Sequence, residues 1–302
     1  MRCKRIILFF MLCLLFFLST LALANTKGSP NKKLYGLNFS PYMDWQDPAI
    51  DDRISEKQII ARMKIIAPYT EWIRTYSCVN GMDKVGRLAH QIGLKAAIGA
   101  WLDLDPKANA KQIASLIQIA KAGEADILIL GNEVLWHRTV SEDQLLKYLR
   151  YVKQEVPNLP VTTVDIYNEI MRHPKVAEAC DIIMINCHPF WEKRDIREAL
   201  PRIQQVYEQV KSRYKDKQVI LSEVGWPSGG GNLGPAIASL ENSQLFFDGF
   251  TTWASQNNIP YYYFEAFDES WKARYEPVAG AHWGIWDKKG KLKLNKQSLL
   301  TK

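Results

Sequence analysis

Two glutamates stand at the ends of apolar, strand-like segments that are far apart in the sequence. Glu133 follows the segment 126–132, and Glu223 follows the segment 218–222. A charged residue in such a place costs free energy unless it has a partner or a role, so both glutamates are candidates for chemistry. A pair of carboxyl groups is the minimal equipment for cleaving a glycosidic bond, since one protonates the leaving oxygen and the other attacks or activates water. The alternative for Glu223 is a structural salt bridge at a strand end.

The residues beside each glutamate indicate different tasks. Glu133 is the candidate general acid, whose proton must persist near neutral pH; this requires partial desolvation or a nearby negative charge. Trp136 and His137 follow it closely and are expected to shape that environment. Asn132 is predicted to hydrogen-bond the sugar hydroxyl next to the reacting carbon, or alternatively to cap the turn after its strand. Glu223 is the candidate nucleophile, ionised and held by hydrogen-bond donors.

Eight strand-like segments alternate with helical patterns along the chain. The predicted strands cover residues 34–40, 71–76, 94–101, 126–132, 161–165, 181–186, 218–223 and 261–267. This alternation predicts an α/β fold with a parallel sheet, and eight repeats favour a single closed (β/α)8 TIM barrel over an open doubly wound sheet. The open sheet is further disfavoured because no glycine-rich phosphate motif follows the first strand. In a barrel both glutamates lie at one rim, at the carboxyl ends of the fourth and seventh strands.

Local signals mark several helix ends. Ser55 and Ser141 are predicted N-caps, because each precedes a segment with helical spacing of apolar residues. Gly93 is predicted to end a helix in the left-handed conformation. Pro201 is a candidate for a local break within the helical segment 196–214.

The N-terminus is typical of a secretory signal peptide. A short basic head precedes the apolar segment 6–23, and Ala22 and Ala24 supply small residues at the cleavage spacing. Cleavage after Ala24 predicts a secreted or periplasmic protein, and the alternative is an uncleaved membrane anchor. The predicted organisation is a signal peptide at 1–24, a linker at 25–33 and one catalytic domain at 34–302.

Composition excludes several classes of function. The net charge of +7 is modest, and no stripe of basic residues with interleaved aromatics is present, so a nucleic-acid partner is not expected. No spacing of metal ligands is evident, and neither a metal nor another cofactor is expected. Cys78, Cys180 and Cys187 adjoin apolar segments, where a cysteine usually acts as a small core residue. Their odd number leaves at least one unpaired within the chain after signal cleavage. We expect a monomer.

The motifs around the two glutamates resemble those of glycoside hydrolase family 17. The resemblance rests on Gly131-Asn132-Glu133 and on the segment Ser-Glu-Val-Gly-Trp-Pro-Ser at 222–228. Further similarity follows in chain order at 35–38, 73–76, 264–272 and 281–286, the last being similar to the microbial and fungal branch of the family. The resemblance implies a (β/α)8 barrel and a retaining enzyme acting on β-1,3-glucan.

The resemblance also implies roles for individual residues. Glu133 would be the general acid/base and Glu223 the nucleophile that forms a covalent glucosyl-enzyme, with carboxyl groups about 5–5.5 Å apart. Tyr76, Glu269 and Lys272 would support them. The alternatives are an amphipathic core position for Tyr76 and a surface ion pair between Glu269 and Lys272.

The segment after the sixth strand carries further candidates. His188 is expected to contact substrate or to hold Glu223, unless it is a hydrogen-bonded structural histidine. Glu265 is expected to lie just behind the rim. The aromatic residues expected to line the cleft as sugar-stacking platforms are Trp191, Trp226 and Trp271, with Tyr42 and Tyr167 as further candidates.

The predicted activity is hydrolysis of a β-1,3-glucan polysaccharide or oligosaccharide, with endo cleavage favoured over exo cleavage. One alternative is a β-1,3-glucanosyltransferase that uses the same site, because a sugar hydroxyl competes with water for the covalent intermediate. Another is a glucan-binding protein without turnover. The His-Pro-Phe-Trp segment at 188–191 departs from the longer plant enzymes of the family, which leaves cleft length and the choice between hydrolysis and transfer open.

Overall fold

The computed structural model describes residues 33–50 and 53–300. The predicted signal peptide and nearly all of the predicted linker lie outside the described residues, so the boundaries assigned to them stay predictions. Within the described part of the chain, no helix combines the length and the apolar character needed to cross a bilayer.

The sheet is a closed barrel of eight parallel strands arranged in sequence order. Its strands are β1 Leu34–Asn38, β2 Thr70–Arg74, β3 Lys95–Ala100, β4 Ile127–Asn132, β5 Val161–Ile166, β6 Ile183–Asn186, β7 Val219–Val224 and β8 Tyr261–Tyr263. β8 pairs with β1 and closes the ring. The prediction of a (β/α)8 barrel is therefore confirmed, and the last strand is shorter than the sequence pattern indicated.

Helices connect the strands around the outside of the barrel. They are α1 Glu56–Ile66, α2 Val85–Ile92, α3 Pro106–Lys121, α4 Glu142–Glu155, α5 Tyr167–Arg172, α6 Pro174–Ala179, α7 Ile196–Arg213, α8 Leu240–Gln256 and α9 Lys296–Leu300. Short 3-10 turns occur at Pro48–Ile50, Met82–Lys84, Ser270–Arg274 and Val278–His282.

Three of the four helix signals read from the sequence are confirmed. The hydroxyls of Ser55 and Ser141 accept hydrogen bonds from backbone N–H groups three residues later, at the starts of α1 and α4. Gly93 follows α2 with a φ of +83°, a conformation that favours glycine. The break considered at Pro201 does not occur, because α7 continues past this residue to Arg213.

The barrel interior is packed with side chains rather than open. One buried cluster lies inside the sheet and contains Ala97, Ile127, Ile129, Val164, Ile182, Met184, Ile220 and Tyr262. The alternate residues of β4, Leu128 and Leu130, belong to the larger cluster between sheet and helices. A Cβ atom on Gly36 would lie 2.5 Å from the Tyr262 ring, so this glycine makes room for the tyrosine. The packed interior confines any ligand site to the ends of the barrel.

The three cysteines of the described part, Cys78, Cys180 and Cys187, are free and buried. Burial raises the pKa of the Cys78 thiol to about 12, and it also raises the pKa values of Cys180 and Cys187. Within residues 33–50 and 53–300, no group of three or more His, Cys, Asp or Glu side chains is placed to hold a metal ion.

Candidate active site

Glu223 lies near the carboxyl end of β7 and is 5% exposed. Arg74 Nη1 donates a hydrogen bond to its Oε1 at 2.7 Å, and His188 Nε2 lies 3.1 Å from its Oε2. Burial alone would raise the pKa of this carboxyl group, but the charge of Arg74 and the hydrogen bond to His188 outweigh it and hold the pKa at about 2. Glu223 is therefore ionised across the neutral range, as a nucleophile must be.

Arg74 ends β2 and is completely buried. Besides Glu223, its Nη1 contacts Asn38 Oδ1 at 3.0 Å, and its Nη2 donates to Asn132 Oδ1 at 2.7 Å. The guanidinium carbon lies 4.4 Å from the centre of the Tyr76 ring. The planar fork of an arginine suits such simultaneous contacts, which fix Glu223 relative to three neighbouring side chains. Sequence reasoning assigned Arg74 no role, although an arginine at the end of a buried strand was a usable signal.

Glu133 directly follows β4, where the backbone becomes irregular. The pairing of β4 with β5 shifts register between Ile129 and Asn132. Gly131 and Glu133 both have positive φ, at +80° and +54°. A Cβ on Gly131 would lie 2.6 Å from a Val134 methyl group, so glycine suits both the conformation and the space. This bulge ends the regular strand and sets the direction of the Glu133 side chain, as bulges near active sites commonly do.

The side chain of Glu133 is 18% exposed and has partners on both oxygens. Asn186 Nδ2 donates to Oε1 at 2.8 Å, and His137 Nε2 lies 3.4 Å from Oε2. The contact with Glu133 raises the pKa of His137. Asn186 ends β6, and its Oδ1 in turn accepts a hydrogen bond from Ser222 Oγ at 2.7 Å.

A continuous set of side-chain contacts joins the two glutamates. Arg74 contacts both Glu223 and the Asn132 carbonyl oxygen, and Asn186 Nδ2 lies 3.3 Å from that same oxygen while donating to Glu133. The barrel thus brings together the carboxyl groups predicted to act as a pair. Asn132 links the partners of the two glutamates, because its Oδ1 contacts both Arg74 and Asn186.

Asp165 is a buried carboxyl group that sequence reasoning missed. It lies on β5, is 0% exposed, and accepts backbone hydrogen bonds from Leu135 and Ile166, both at 2.9 Å. Burial raises its pKa to about 7, and the nearby charge of Glu133 contributes to the increase. Because Leu135 follows Glu133 by two residues, Asp165 anchors the loop that carries the candidate acid.

Lys272 and Glu269 form the predicted ion pair, but the pair is buried and includes a third residue. Lys272 Nζ lies 2.6 Å from both oxygens of Glu265 and 2.9 Å from Glu269 Oε2. Glu269 also accepts hydrogen bonds from the Ser40 hydroxyl and, at 3.0 Å, from Trp271 Nε1. Relative exposures of 1–7% for the three charged residues show that the alternative of a surface ion pair is wrong.

The surroundings of Tyr76 and His188 connect both residues to Glu223. Burial raises the pKa of Tyr76 well above its usual value, and the charge of Glu223 adds to this effect. The His188 ring packs edge-on against Phe264 and Trp283, with ring centres 5.2 and 5.1 Å apart. His188 therefore packs against two aromatic rings and contacts Glu223 at the same time.

Trp226 does not fit the predicted role of a sugar-stacking platform. It is 0% exposed, its ring packs against Phe190 and Phe246, and its Nε1 donates to the Ile237 carbonyl oxygen at 2.9 Å. The turn after β7 directs this indole into the core rather than toward solvent. No ring face is left for a ligand, so the prediction for this residue is wrong.

The other predicted aromatic residues are half-buried. Trp191 packs against Trp283, and Trp271 donates a hydrogen bond from its Nε1 to Glu269. Tyr42 packs against the core. Tyr167 accepts a hydrogen bond from Arg202, whose guanidinium carbon lies 5.0 Å from its ring centre.

Among the described residues, four exposed aromatic residues at the barrel mouth were not predicted as cleft residues. Each follows the carboxyl end of a strand, β1, β3, β4 or β8, on the face that carries the glutamates. They are Trp45, Trp101, Trp136 and Tyr275, with exposures of 74%, 46%, 52% and 59%. Exposed rings at a barrel mouth are suited to stacking on the apolar faces of sugars.

Known proteins share both the sequence pattern and the fold. The chain is 26% identical to the protein named probable glucan endo-1,3-beta-glucosidase btgC of Aspergillus clavatus, over 90% of this chain and 44% of that protein. The corresponding protein of Aspergillus fumigatus is 27% identical, with the same two coverages. The chain thus spans less than half the length of these curated relatives.

Among solved structures, an active-site mutant of a Rhizomucor miehei beta-1,3-glucanosyltransferase in complex with laminaritriose matches with a TM-score of 0.77 and 26% identity. The match covers 87% of this chain and 97% of that chain. The same enzyme is described as a member of glycoside hydrolase family 17. An endo-laminarinase from Formosa matches with a TM-score of 0.73 at 18% identity, which supports the fold alone.

The family resemblance read from the motifs is therefore confirmed by independent comparisons. Residues 36–284, from β1 to the segment after β8, match the BtgE/BtgC glycoside hydrolase domain. The chain belongs to this family of glycoside hydrolase domains.

Proposed function

We propose that the chain cleaves β-1,3-glucan with retention of anomeric configuration, with Glu223 as nucleophile and Glu133 as general acid/base. The observation that carries the proposal is the different setting of two carboxyl groups at one barrel rim. Glu223 is buried and kept ionised by Arg74 and His188, whereas Glu133 sits on an irregular loop beside the Asn186 amide. This difference matches the two roles that a retaining glycosidase needs.

The reaction proceeds in two displacements. Glu223 attacks the anomeric carbon while Glu133 gives its proton to the glycosidic oxygen, so the carbon–oxygen bond breaks and a covalent glucosyl-enzyme forms. Glu133, now ionised, takes a proton from water as that water attacks the same carbon and releases Glu223. Arg74 and His188 hold the nucleophile in place before attack and stabilise its charge when it is released.

The substrate class follows from the relatives and from the face around the glutamates. The names of the matched Aspergillus proteins specify endo-1,3-beta-glucosidase activity, and the matched Rhizomucor structure contains laminaritriose. Exposed aromatic rings after four different strands are consistent with a long glucan chain lying across the barrel mouth. These observations favour internal cleavage of a polymer.

Transfer of the glucosyl group to another sugar is the second candidate function. The similarity to a beta-1,3-glucanosyltransferase at a TM-score of 0.77 favours it, since a transferase and a hydrolase share the first displacement. A non-catalytic glucan-binding protein is less well supported, because both carboxyl groups and their partners are present.

A product time course on reducing-end-labelled β-1,3-gluco-oligosaccharides, resolved by mass, tests these functions. Products that are only shorter than the substrate identify a hydrolase, and longer products identify a transferase. Cleavage of β-1,4-linked or mixed-linked glucans instead would overturn the substrate. Binding without any product would support the non-catalytic alternative. A 2-deoxy-2-fluoro glucoside should trap the covalent intermediate, and a mass label on any residue other than Glu223 would contradict the assigned nucleophile.

We further propose that the protein is exported and works as a monomer. The N-terminal pattern of the sequence supports export, because a basic head, an apolar segment and small residues at the cleavage spacing follow one another. N-terminal sequencing of protein recovered from the medium or periplasm should begin at Asn25. Retention of residues 1–24 in membranes would contradict the cleavage, and a sedimentation mass well above that of one chain would contradict the monomer.

A further inference from the structure

The loop between β6 and α7, residues 187–195, brings His188 to the Glu223 carboxyl group. The first residue of this loop is fixed by pairing with β7, because the Cys187 N–H donates to the Glu223 carbonyl oxygen at 2.9 Å. The loop then turns without forming a helix or a strand. The position of the His188 ring therefore depends on how the rest of the loop is held.

The His188 ring has one polar contact to orient it. Its Nε2 faces Glu223, but its Nδ1 is buried and has no hydrogen-bond partner among the described residues. The rings of Phe264 and Trp283 pack edge-on against the imidazole and restrict its space. With a single polar contact, the ring moves with its backbone, so the backbone must be restrained to keep the ring against Glu223.

One buried side chain restrains the centre of the loop. Phe190 is 0% exposed, and its ring packs edge-on against Trp226 and Trp283 with ring centres 5.4 and 5.8 Å apart. This apolar contact holds the loop from the side of the core. The following residues, which lead on to α7, are held from the outer side of the barrel.

Arg202 of α7 holds those following residues through Glu192. Its Nε lies 2.7 Å from Glu192 Oε2 and its Nη2 lies 3.3 Å from Oε1, so the guanidinium contacts both oxygens of one carboxylate. Nη2 also donates to the Tyr167 hydroxyl at the start of α5. The side chains of Arg202 and Glu192 are 14% and 28% exposed. A two-point contact that is partly shielded from water fixes orientation as well as distance.

The restraint on Glu192 passes to His188 through the backbone. The Glu192 N–H donates to the His188 carbonyl oxygen at 3.2 Å and closes one turn of the loop. A fixed Glu192 therefore fixes the backbone that carries the imidazole, and the imidazole contacts Glu223. Arg202 thus acts on Glu223 through two intermediate residues.

We infer that Arg202 and Glu192 are positioning residues that keep His188 against Glu223. The inference rests on the proposed role of Glu223 as nucleophile. A misplacement of about 1 Å at a reacting group can cost about 10²-fold in rate, so the restraint matters for turnover. A contact with only a structural role would, when removed, lower the Tm and leave the rate of the folded enzyme unchanged.

A double-mutant cycle separates these two roles. Arg202→Gln should lower kcat/KM for laminarihexaose about tenfold. In a His188→Ala background the same substitution should cost less than about twofold, because the group through which Arg202 acts is already gone. Glu192→Gln should behave in the same way. A tenfold loss in both backgrounds, or a lower Tm with unchanged kcat/KM, would overturn the inference.

The matched control is Arg197→Gln on the same helix. Arg197 also contacts both oxygens of one carboxylate, that of Asp195, at 2.8 and 3.0 Å, but its side chain is 85% exposed. The backbone N–H of residue 197 still donates to Asp195 after the substitution, so the start of α7 is kept. This variant should retain kcat/KM within about twofold. A loss as large as that of Arg202→Gln would show that the rate responds to any broken ion pair of α7, which would overturn the inference.

The ¹⁵N resonances of the His188 ring give a readout that does not depend on turnover. Because Nε2 faces an ionised carboxylate, it should carry the proton and give one sharp signal, assigned by its loss in His188→Ala. Arg202→Gln should broaden or shift this signal, and Arg197→Gln should not. An unchanged signal in Arg202→Gln would overturn the inference. If the unaltered chain cleaves no β-1,3-glucan, the proposed function fails, and the spectra still decide whether Arg202 holds His188.

Discussion

The two glutamates occupy the same rim of the barrel in unlike settings. Glu223 lies within β7, whose pairing with β6 and with β8 shifts register beside it. Its side chain is 6% exposed, and Arg74 and His188 contact its two oxygens. Glu133 lies just beyond its strand in a left-handed conformation, and its side chain is 18% exposed. The ionisation of Glu223 is set mainly by the fixed charge of Arg74, whereas the position of Glu133 is set by the shape of its loop.

Under the roles proposed for the two glutamates, this difference gives one fold two kinds of carboxyl chemistry. A strand holds a group rigidly against the barrel wall, where a buried arginine can reach it from β2. A bulge and a loop can place a group beside incoming substrate and let water reach it, which an acid that later becomes a base requires. Single substitutions can alter either glutamate or its partners separately.

Glu223→Gln should have the largest effect. The amide cannot form the glucosyl-enzyme, so kcat on laminari-oligosaccharides should fall on the order of 10⁵-fold. Glu155→Gln is a suitable control, because Glu155 is a carboxyl group at the end of α4 paired with the exposed Lys121. Thermal melting should show both variants folded. Normal turnover by the Glu223→Gln variant would remove Glu223 from the mechanism.

Glu133→Gln should have the next largest effect, and its size should depend on the leaving group. Loss of general acid catalysis should slow the cleavage of unmodified oligosaccharides on the order of 10³-fold. Formation of the glucosyl-enzyme from a 2,4-dinitrophenyl glycoside should be far less affected, since that leaving group needs no proton. Pre-steady-state release of dinitrophenol measures this step. An equal loss on both substrates would argue that Glu133 acts otherwise than as an acid.

Arg74→Lys should reduce kcat/KM by about 10²-fold and change its pH profile. Arg74 is the main partner that keeps the pKa of Glu223 at about 2 despite burial. A lysine cannot make the same set of contacts, so the pKa of Glu223 should increase. The nucleophile must be deprotonated, and the acidic limb of the kcat/KM profile should therefore move to higher pH. An unchanged acidic limb with the same loss of rate would indicate that Arg74 only aligns the site.

The same ion pair predicts a stability change in acid. The folded pKa of Glu223 lies below the unfolded value of about 4.3 for a glutamate, so its contribution is fully present above that value. It should be lost as the pH falls from about 4 toward about 2. Melting curves of the unaltered chain and of Arg74→Lys should converge over this window. A difference that stays constant with pH would contradict the ionic origin of the contribution.

Asp165→Asn should have the smallest effect on rate, about tenfold, because it weakens the anchor of the Glu133 loop without touching the reacting groups. The clearest effect of this substitution is expected on the Tm as a function of pH. The folded pKa of Asp165 is raised to about 7 from an unfolded value of about 3.9, so its contribution is greatest below about pH 4 and is lost as the pH rises to about 7. Relative to the unaltered chain, the asparagine variant should therefore become more stable over this rise. A Tm difference independent of pH would contradict the raised pKa of Asp165.

The sequence alone predicted the barrel and the two glutamates, because both depend on patterns along the chain. Apolar segments at regular intervals locate strands, and a carboxylate at the end of such a segment stands out. The partners of the glutamates depend on which strands become neighbours and on where each side chain points. Arg74 was noted only as part of a motif, and Asp165 and Asn186 were noted only as the ends of predicted strands.

The aromatic residues also show what a sequence pattern does not predict, namely the direction in which a side chain points. Trp226 lies beside a glycine and a proline at the rim, a context that indicates an exposed turn, yet its ring enters the core. Trp45 lies between Asp44 and Gln46 and is 74% exposed. The direction of a side chain in a turn depends on backbone angles and on the neighbours that fill the space beneath, and a single sequence contains neither.

The burial of Cys78, Cys180 and Cys187 limits the reactivity of their thiols. A thiol attacks a disulfide or reacts with an oxidant as its thiolate, and burial suppresses both ionisation and access here. These three thiols of the described part of the chain are therefore poorly placed to take part in disulfide exchange. The folded domain should keep one covalent form in both reducing and oxidising buffers.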